Sequence, residues 1–294
     1  MSSPASVPEP GAALAVDLVA AGSIEMGAHR PQDARAIAAL LPTGTPVYVN
    51  HLPRHSLADS LASLAAVREA GLEPVPHIAA RRIASRAELG EFLARAVAEA
   101  GVRKALVLGG DEPEARGPYG DGASLIRSGV LAAAGLREIG LPGYPEGHPR
   151  IPLMELERDL AEKLSLLAAQ DLGAYVVTQF SFAPARVLEY CAALARSAPG
   201  VPVYVGLPGP TSPAALLRFA QRCGVSASLR ALQAQGVNAV RLVTHTDPGD
   251  QLAHLARYCA AHASCNVVGV HVFSFGGVTA AAGWMNRYIA SRGS

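Results

Sequence analysis

The chain has 294 residues, 50% hydrophobic and 17% charged, with 25 Lys and Arg against 24 Asp and Glu for a formal charge of +1, and its mean hydropathy is +0.23. It is too apolar to stay disordered, and a balanced charge gives no field to hold nucleic acid or an anionic membrane surface. No apolar run reaches the ~18 residues of a membrane span, and residues 1–10 lack the basic-then-apolar order of a secretory signal, so a cytoplasmic protein without nucleic-acid or membrane partners is expected.

In chain order, short and nearly continuous apolar runs predict strands over 22–26, 46–50, 74–78, 105–109, 141–145, 175–179, 201–206 and 267–273, with a further short run at 240–243. Between them, Ala- and Leu-rich patterns predict helices over 33–41, 57–70, 87–100, 124–136, 154–170, 184–198, 213–222, 228–235, 251–262 and 278–291. Ser85 with Glu88 reads as a capping box. Gly71, Gly101 and Gly140 each follow a helical run, where a residue free to adopt positive φ ends a helix at little cost.

Strands that are apolar on both faces belong to a covered parallel sheet. Repeated β/α units in fewer than 300 residues, without a long linker, predict a single-domain (β/α)8 TIM barrel over 13–294 behind a flexible segment, 1–12. A doubly wound open sheet is the competing arrangement. The first strand does not enter GxGxxG but runs Gly22-Ser23-Ile24-Glu25, which disfavours it.

In a barrel the carboxyl ends of the strands form the active-site face. Polar groups recur there: Glu25 after strand 1, Asn50 and His51 after strand 2, His77 after strand 3 and Asp111 after strand 4. Tyr144, Glu146 and His148 follow strand 5, Thr178 and Gln179 strand 6, and Phe273 to Phe275 strand 8. Taken singly, Glu25 also reads as a helix cap, His77 as a hydrogen-bonded core histidine and Asp111 as a loop residue. No HxH or HExxH spacing supports a metal site, and Cys191, Cys223, Cys259 and Cys265 form no CxxC pair, so they read as free thiols in a reducing compartment.

The segments Ser23-Ile24-Glu25, Val75-Pro76-His77-Ile78, Gly110-Asp111, Gly143-Tyr144-Pro145-Glu146-Gly147-His148-Pro149 and Thr178-Gln179-Phe180 resemble the methylenetetrahydrofolate reductase family. That resemblance implies a (β/α)8 enzyme passing a hydride between NAD(P)H and the one-carbon unit of tetrahydrofolate through FAD. It implies Glu25 as the general acid and Asp111 as a carboxylate near flavin and pterin. It further implies Gln179 as the amide on the pterin edge, and Phe219 and Phe275 as aromatic contacts of the substrate. Asn50, His77, Gly110, Ala123, Tyr144, His148 and Lys163 fall at positions implied to line the flavin.

The chain departs from the family where an arginine precedes Gly-Asp; here Gly109 stands before Gly110-Asp111. Counting back from Gln179 puts Leu167 and Ala168 at the family's helical cations, whereas counting forward from His148 puts Lys163 there. Arg81 and Arg82 are further candidates for the cofactor phosphates. The alternatives are a flavin-free relative, transferring hydride directly or moving a methyl group, and a non-catalytic folate-binding protein. Trp284 and Tyr288, at helical spacing, read as packing or as a subunit contact in a homo-oligomer.

Overall fold

A computed structural model describes residues 11–51, 56–212, 216, 218–220, 225 and 248–291. The expected strand at 240–243 and the helix at 228–235 lie outside these residues, as does most of the one at 213–222. The order is α1 (Ala12–Ala20), β1 (Ser23–Gly27), α2 (Asp33–Ala38), β2 (Pro46–Asn50), α3 (Leu57–Glu69), β3 (Glu73–Ala79), α4 (Arg86–Ala100), β4 (Lys104–Leu108), α5 (Gly122–Arg127) and α6 (Val130–Ala133). It continues with β5 (Glu138–Gly143), α7 (Leu153–Ala168), β6 (Gly173–Thr178), α8 (Pro184–Ser197), β7 (Val203–Pro208), α9 (Pro248–Ala261), β8 (Val267–Phe273) and α10 (Val278–Ala290).

The eight strands pair in parallel in sequence order, and β1 closes on β8 through Ser23 opposite His271, completing the (β/α)8 barrel. Among the described residues no helix is long and apolar enough to cross a membrane.

Local chemistry explains the element ends. Ser85 Oγ accepts from Glu88 N at 3.1 Å, while the Glu88 carboxylate accepts from Ala84 N at 2.8 Å, one residue before the reciprocal partner of a full capping box. Gly71 and Gly101 have φ of +80° and +64° and end α3 and α4 as expected. Gly140 instead lies inside β5, where a Cβ would come within 2.7 Å of the Tyr175 ring. The single helix expected over 124–136 is two, because Gly129 at φ +72° breaks it. Helix α1, at Ala12–Ala20, has no counterpart among the helices expected from the sequence, the first of which starts at residue 33.

Side chains alternate along each strand, so the interior is set by parity. Tyr48, Val75, Leu106, Tyr175 and Val177 pack as one cluster within the barrel, and Tyr48 donates to the Tyr175 hydroxyl at 3.0 Å. Below them, Lys104 Nζ lies 3.8 Å from Glu73 and 3.5 Å from Glu138, an ionic plug at the amino end of the strands. A separate layer of apolar side chains, including Ile24, Val47, Val107 and Val176, joins the outer faces of the strands to the helices.

Candidate active site

The residues two positions beyond the interior cluster form the upper rim. Glu25 follows Ser23, Asn50 follows Tyr48, His77 follows Val75, Gln179 follows Val177 and Phe273 follows His271, all with the same parity.

Glu25 and Asn50 are half-buried at the ends of neighbouring strands, and Asn50 Nδ2 donates to Glu25 Oε1 at 3.0 Å. Burial pushes the Glu25 carboxyl above its ordinary range, and the Asn50 hydrogen bond acts against that rise. Asn50 Oδ1 is buried without a partner, as is His77 Nε2. Two unsatisfied polar atoms on adjacent strands mark a place where a ligand or a water completes the hydrogen bonding. His77 itself is buried, and that burial, with His51 nearby, takes its pKa down to about 3.

His271, not singled out from the sequence, shares this interior. Its Nδ1 lies 2.9 Å from Ser23 Oγ, and its ring sits 4.7 Å from Tyr48 and 4.8 Å from Phe273. Burial lowers its pKa to about 3 as well, so both histidines are neutral at physiological pH. The parity of His271 with Phe273 was the signal available in the sequence.

An aromatic wall closes the β6–β8 side. Phe180 meets Phe273 at 5.5 Å and Phe275 at 5.1 Å, and Phe219 tilts against Phe275 at 4.9 Å. Phe275 has φ +48°, a left-handed conformation that costs a bulky residue energy and recurs at ligand sites. Gln179 is half-buried, with Oε1 accepting from Phe180 N at 3.1 Å. Thr178 faces the other way, with Oγ1 accepting from Gly206 N at 2.9 Å.

Asp111 is on the same end of the barrel but stands in solvent. Its side chain is 85% exposed and lies 3.8 Å from Arg150 of the loop after β5. That loop places Tyr144 and His148 edge to face at 5.3 Å around Gly147, whose φ is +76°. Gly110 also has a positive φ, +97°, and a Cβ there would come within 2.9 Å of the Glu112 carboxylate.

Ala123 and Lys163 lie elsewhere, on α5 and α7, which pack against each other: a Cβ on Gly122, beside Ala123, would lie 3.1 Å from Lys163 Cε. Lys163 is buried, and its ammonium is paired with Asp159. Tyr144 and Lys163 also border an apolar groove of about 870 Å3 between α7 and α8, outside the strand cylinder.

The arginines read as phosphate ligands are committed to the fold. Arg81 donates to the carbonyls of Gly120 at 2.7 Å and Glu112 at 2.9 Å. Arg82 is buried between the Glu112 carboxylate and the His51 carbonyl. They clamp the loop after β4 against the ends of β2 and β3.

These arrangements permit a partial fit to FAD. The unpartnered Asn50 Oδ1 and His77 Nε2 suit a flavin ring edge. The pyrophosphate is poorly matched: among the described residues, Arg81, Arg82 and Lys163 each already serve a group of the chain, and Arg150 stands exposed beside Asp111.

A family model described as methylenetetrahydrofolate reductase matches residues 48–235. The match takes in Asn50, His77, Asp111, Gln179 and Phe219; Glu25 and Phe275 lie outside it. Among solved structures, an uncharacterized protein from Clostridium thermocellum that binds two copies of 5-methyl-5,6,7,8-tetrahydrofolic acid superposes with a TM-score of 0.63 at 11% identity, over 91% of this chain and 95% of that one. Yersinia pestis DHPS with a pterine-sulfa conjugate superposes with a TM-score of 0.50 at 12% identity, over 94% of each chain. At these identities the likeness is one of fold.

Proposed function

Because this chain belongs to the methylenetetrahydrofolate reductase family, we propose that it interconverts 5,10-methylene- and 5-methyltetrahydrofolate with NAD(P)H, Glu25 supplying and recovering the proton. The observation that carries this reading is the half-buried Glu25 carboxyl at the barrel mouth, raised in pKa by burial and held by Asn50.

In the methylene form one carbon bridges two nitrogens. A proton on the departing nitrogen releases it and leaves an iminium carbon that accepts hydride. A carboxyl whose pKa is raised by burial holds its proton more readily than a free one and is suited to give that proton, and as a carboxylate it takes the proton back in the reverse direction. Gln179 offers a mixed donor and acceptor edge to the pterin. Phe219 and Phe275 supply a stacking surface for the benzoyl ring or the nicotinamide, and Asp111 stands at the mouth for the amino-pyrimidine edge.

The hydride route has two arms. The commitment of Arg81 and Arg82 to the loop after β4 and to His51 favours direct transfer from NAD(P)H, because a resident FAD needs firmer phosphate anchoring than a co-substrate that exchanges each turnover. The unpartnered Asn50 and His77 atoms favour a flavin ring. The test is the visible spectrum of the purified protein, paired with methylenetetrahydrofolate-dependent NAD(P)H oxidation with and without added FAD. Turnover by a protein lacking the flavin band near ~450 nm supports direct transfer. A bound flavin that NAD(P)H bleaches and methylenetetrahydrofolate restores supports the flavin arm, and no turnover in either condition overturns the proposed activity.

A further inference from the structure

At the opposite end of the barrel from Glu25, Cys259 lies in the last turn of α9 and Cys265 stands two residues before β8. The chain doubles back between them: His262 N donates to Cys259 O at 3.4 Å, and Cys265 N donates to His262 O at 2.9 Å. This turn brings the two sulfurs to 2.7 Å, with the Cys265 thiol donating to Cys259 Sγ. Both cysteines are partly exposed, and Ala263 and Ser264 between them are exposed.

We infer that Cys259 and Cys265 form a reversible thiol–disulfide centre that small disulfides oxidise. The two sulfurs face each other across this turn, the arrangement from which a disulfide forms.

The surroundings divide the roles. When Cys265 ionises, the Cys259 thiol can donate to it, which holds the Cys265 pKa down to about 6 and raises that of Cys259. His262 adds to the lowering at Cys265; its ring stacks on Tyr258 at 4.2 Å, and its Nδ1 lies 2.8 Å from Tyr258 O. Cys265 is therefore the attacking sulfur, since the thiolate is the nucleophile. Cys191, on α8 behind the pair, is buried, and burial pushes its thiol up to about 12. It takes no part.

The chemistry balances with a low-molecular-weight disulfide as oxidant. The Cys265 thiolate attacks one sulfur of R–S–S–R, expelling RS⁻ and forming Cys265–S–S–R. Cys259 then gives up its proton and attacks the Cys265 sulfur, expelling the second RS⁻. Two protein thiols lose two electrons in all, and one R–S–S–R becomes two RSH.

The test is to treat the reduced full-length protein with oxidised glutathione, alkylate the remaining thiols and map tryptic peptides. Both cysteines fall in the single peptide 258–287. The proposal expects this peptide two hydrogens light, unalkylated and free of glutathione, and restored by dithiothreitol. In Cys259→Ser the glutathione adduct should persist on Cys265, because nothing resolves it. In Cys265→Ser adduct formation on Cys259 should be about tenfold slower or more. A wild-type peptide carrying two alkyl groups, a persistent glutathione adduct, or a bridge from Cys265 to Cys191 or Cys223 would each overturn the assignment.

Discussion

Asn50 Nδ2 donates a 3.0 Å hydrogen bond to Glu25 Oε1, joining the ends of β1 and β2 at the mouth of the barrel. Burial raises the Glu25 pKa, and this bond, which favours the charged carboxylate, limits the rise. Replacing Asn50 with Leu removes the donor and keeps the bulk, so the Glu25 pKa should climb further. If protonated Glu25 drives methylenetetrahydrofolate reduction, the rate falls as pH rises through that pKa. The alkaline limb of the pH–rate profile should therefore move to higher pH in Asn50→Leu. An unmoved or lowered limb would detach this pair from the rate.

The two interior histidines make stability depend on acid. His77 and His271 both have pKa values taken down to about 3 by burial. The unfolded chain binds their protons near ~6.5 while the folded barrel does not. Their contribution is thus present above about pH 6.5 and lost as pH falls toward 3, at up to about 1.4 kcal/mol per pH unit for each histidine. Urea unfolding at pH 7 and pH 5 should show His77→Gln with a shallower loss than wild type. Equal losses would mean that His77 protonates in the folded state.

Phe275 combines an aromatic contact with a left-handed backbone at φ +48°. Phe275→Ala removes the ring but leaves a Cβ in that conformation; Phe275→Gly removes both. The glycine variant should be the more stable of the two by about 1 kcal/mol. Both should raise KM for the folate several-fold through the lost stacking, worth about 0.5–1.5 kcal/mol. Thermal melts of equal midpoint would argue that the Phe275 backbone is unstrained.

Much of the fold was legible because each strand is short, apolar on both faces and punctuated, and the polar residues at strand ends share a parity that points them to one rim. What escaped was set by partners distant in the chain. Gly140 reads as a helix stop, but it is in β5 because the Tyr175 ring fills the space beside it. Arg81 and Arg82 read as cations awaiting a phosphate, yet the carbonyls and carboxylate that hold them come from the loop after β4 and from His51. His271 was hidden in an apolar run. The exposure of Asp111 depends on how its loop meets Arg150, which local pattern does not encode.

The most direct measurement is single-turnover reduction of methylenetetrahydrofolate by Glu25→Gln, with folate affinity determined calorimetrically on the same protein. The amide keeps the size and the Asn50 contact but has no acidic proton to give. The account predicts folate binding within a few-fold of wild type and a reduction rate lower by about a hundredfold or more. A Glu25→Gln enzyme that reduces the substrate at the wild-type rate would contradict it.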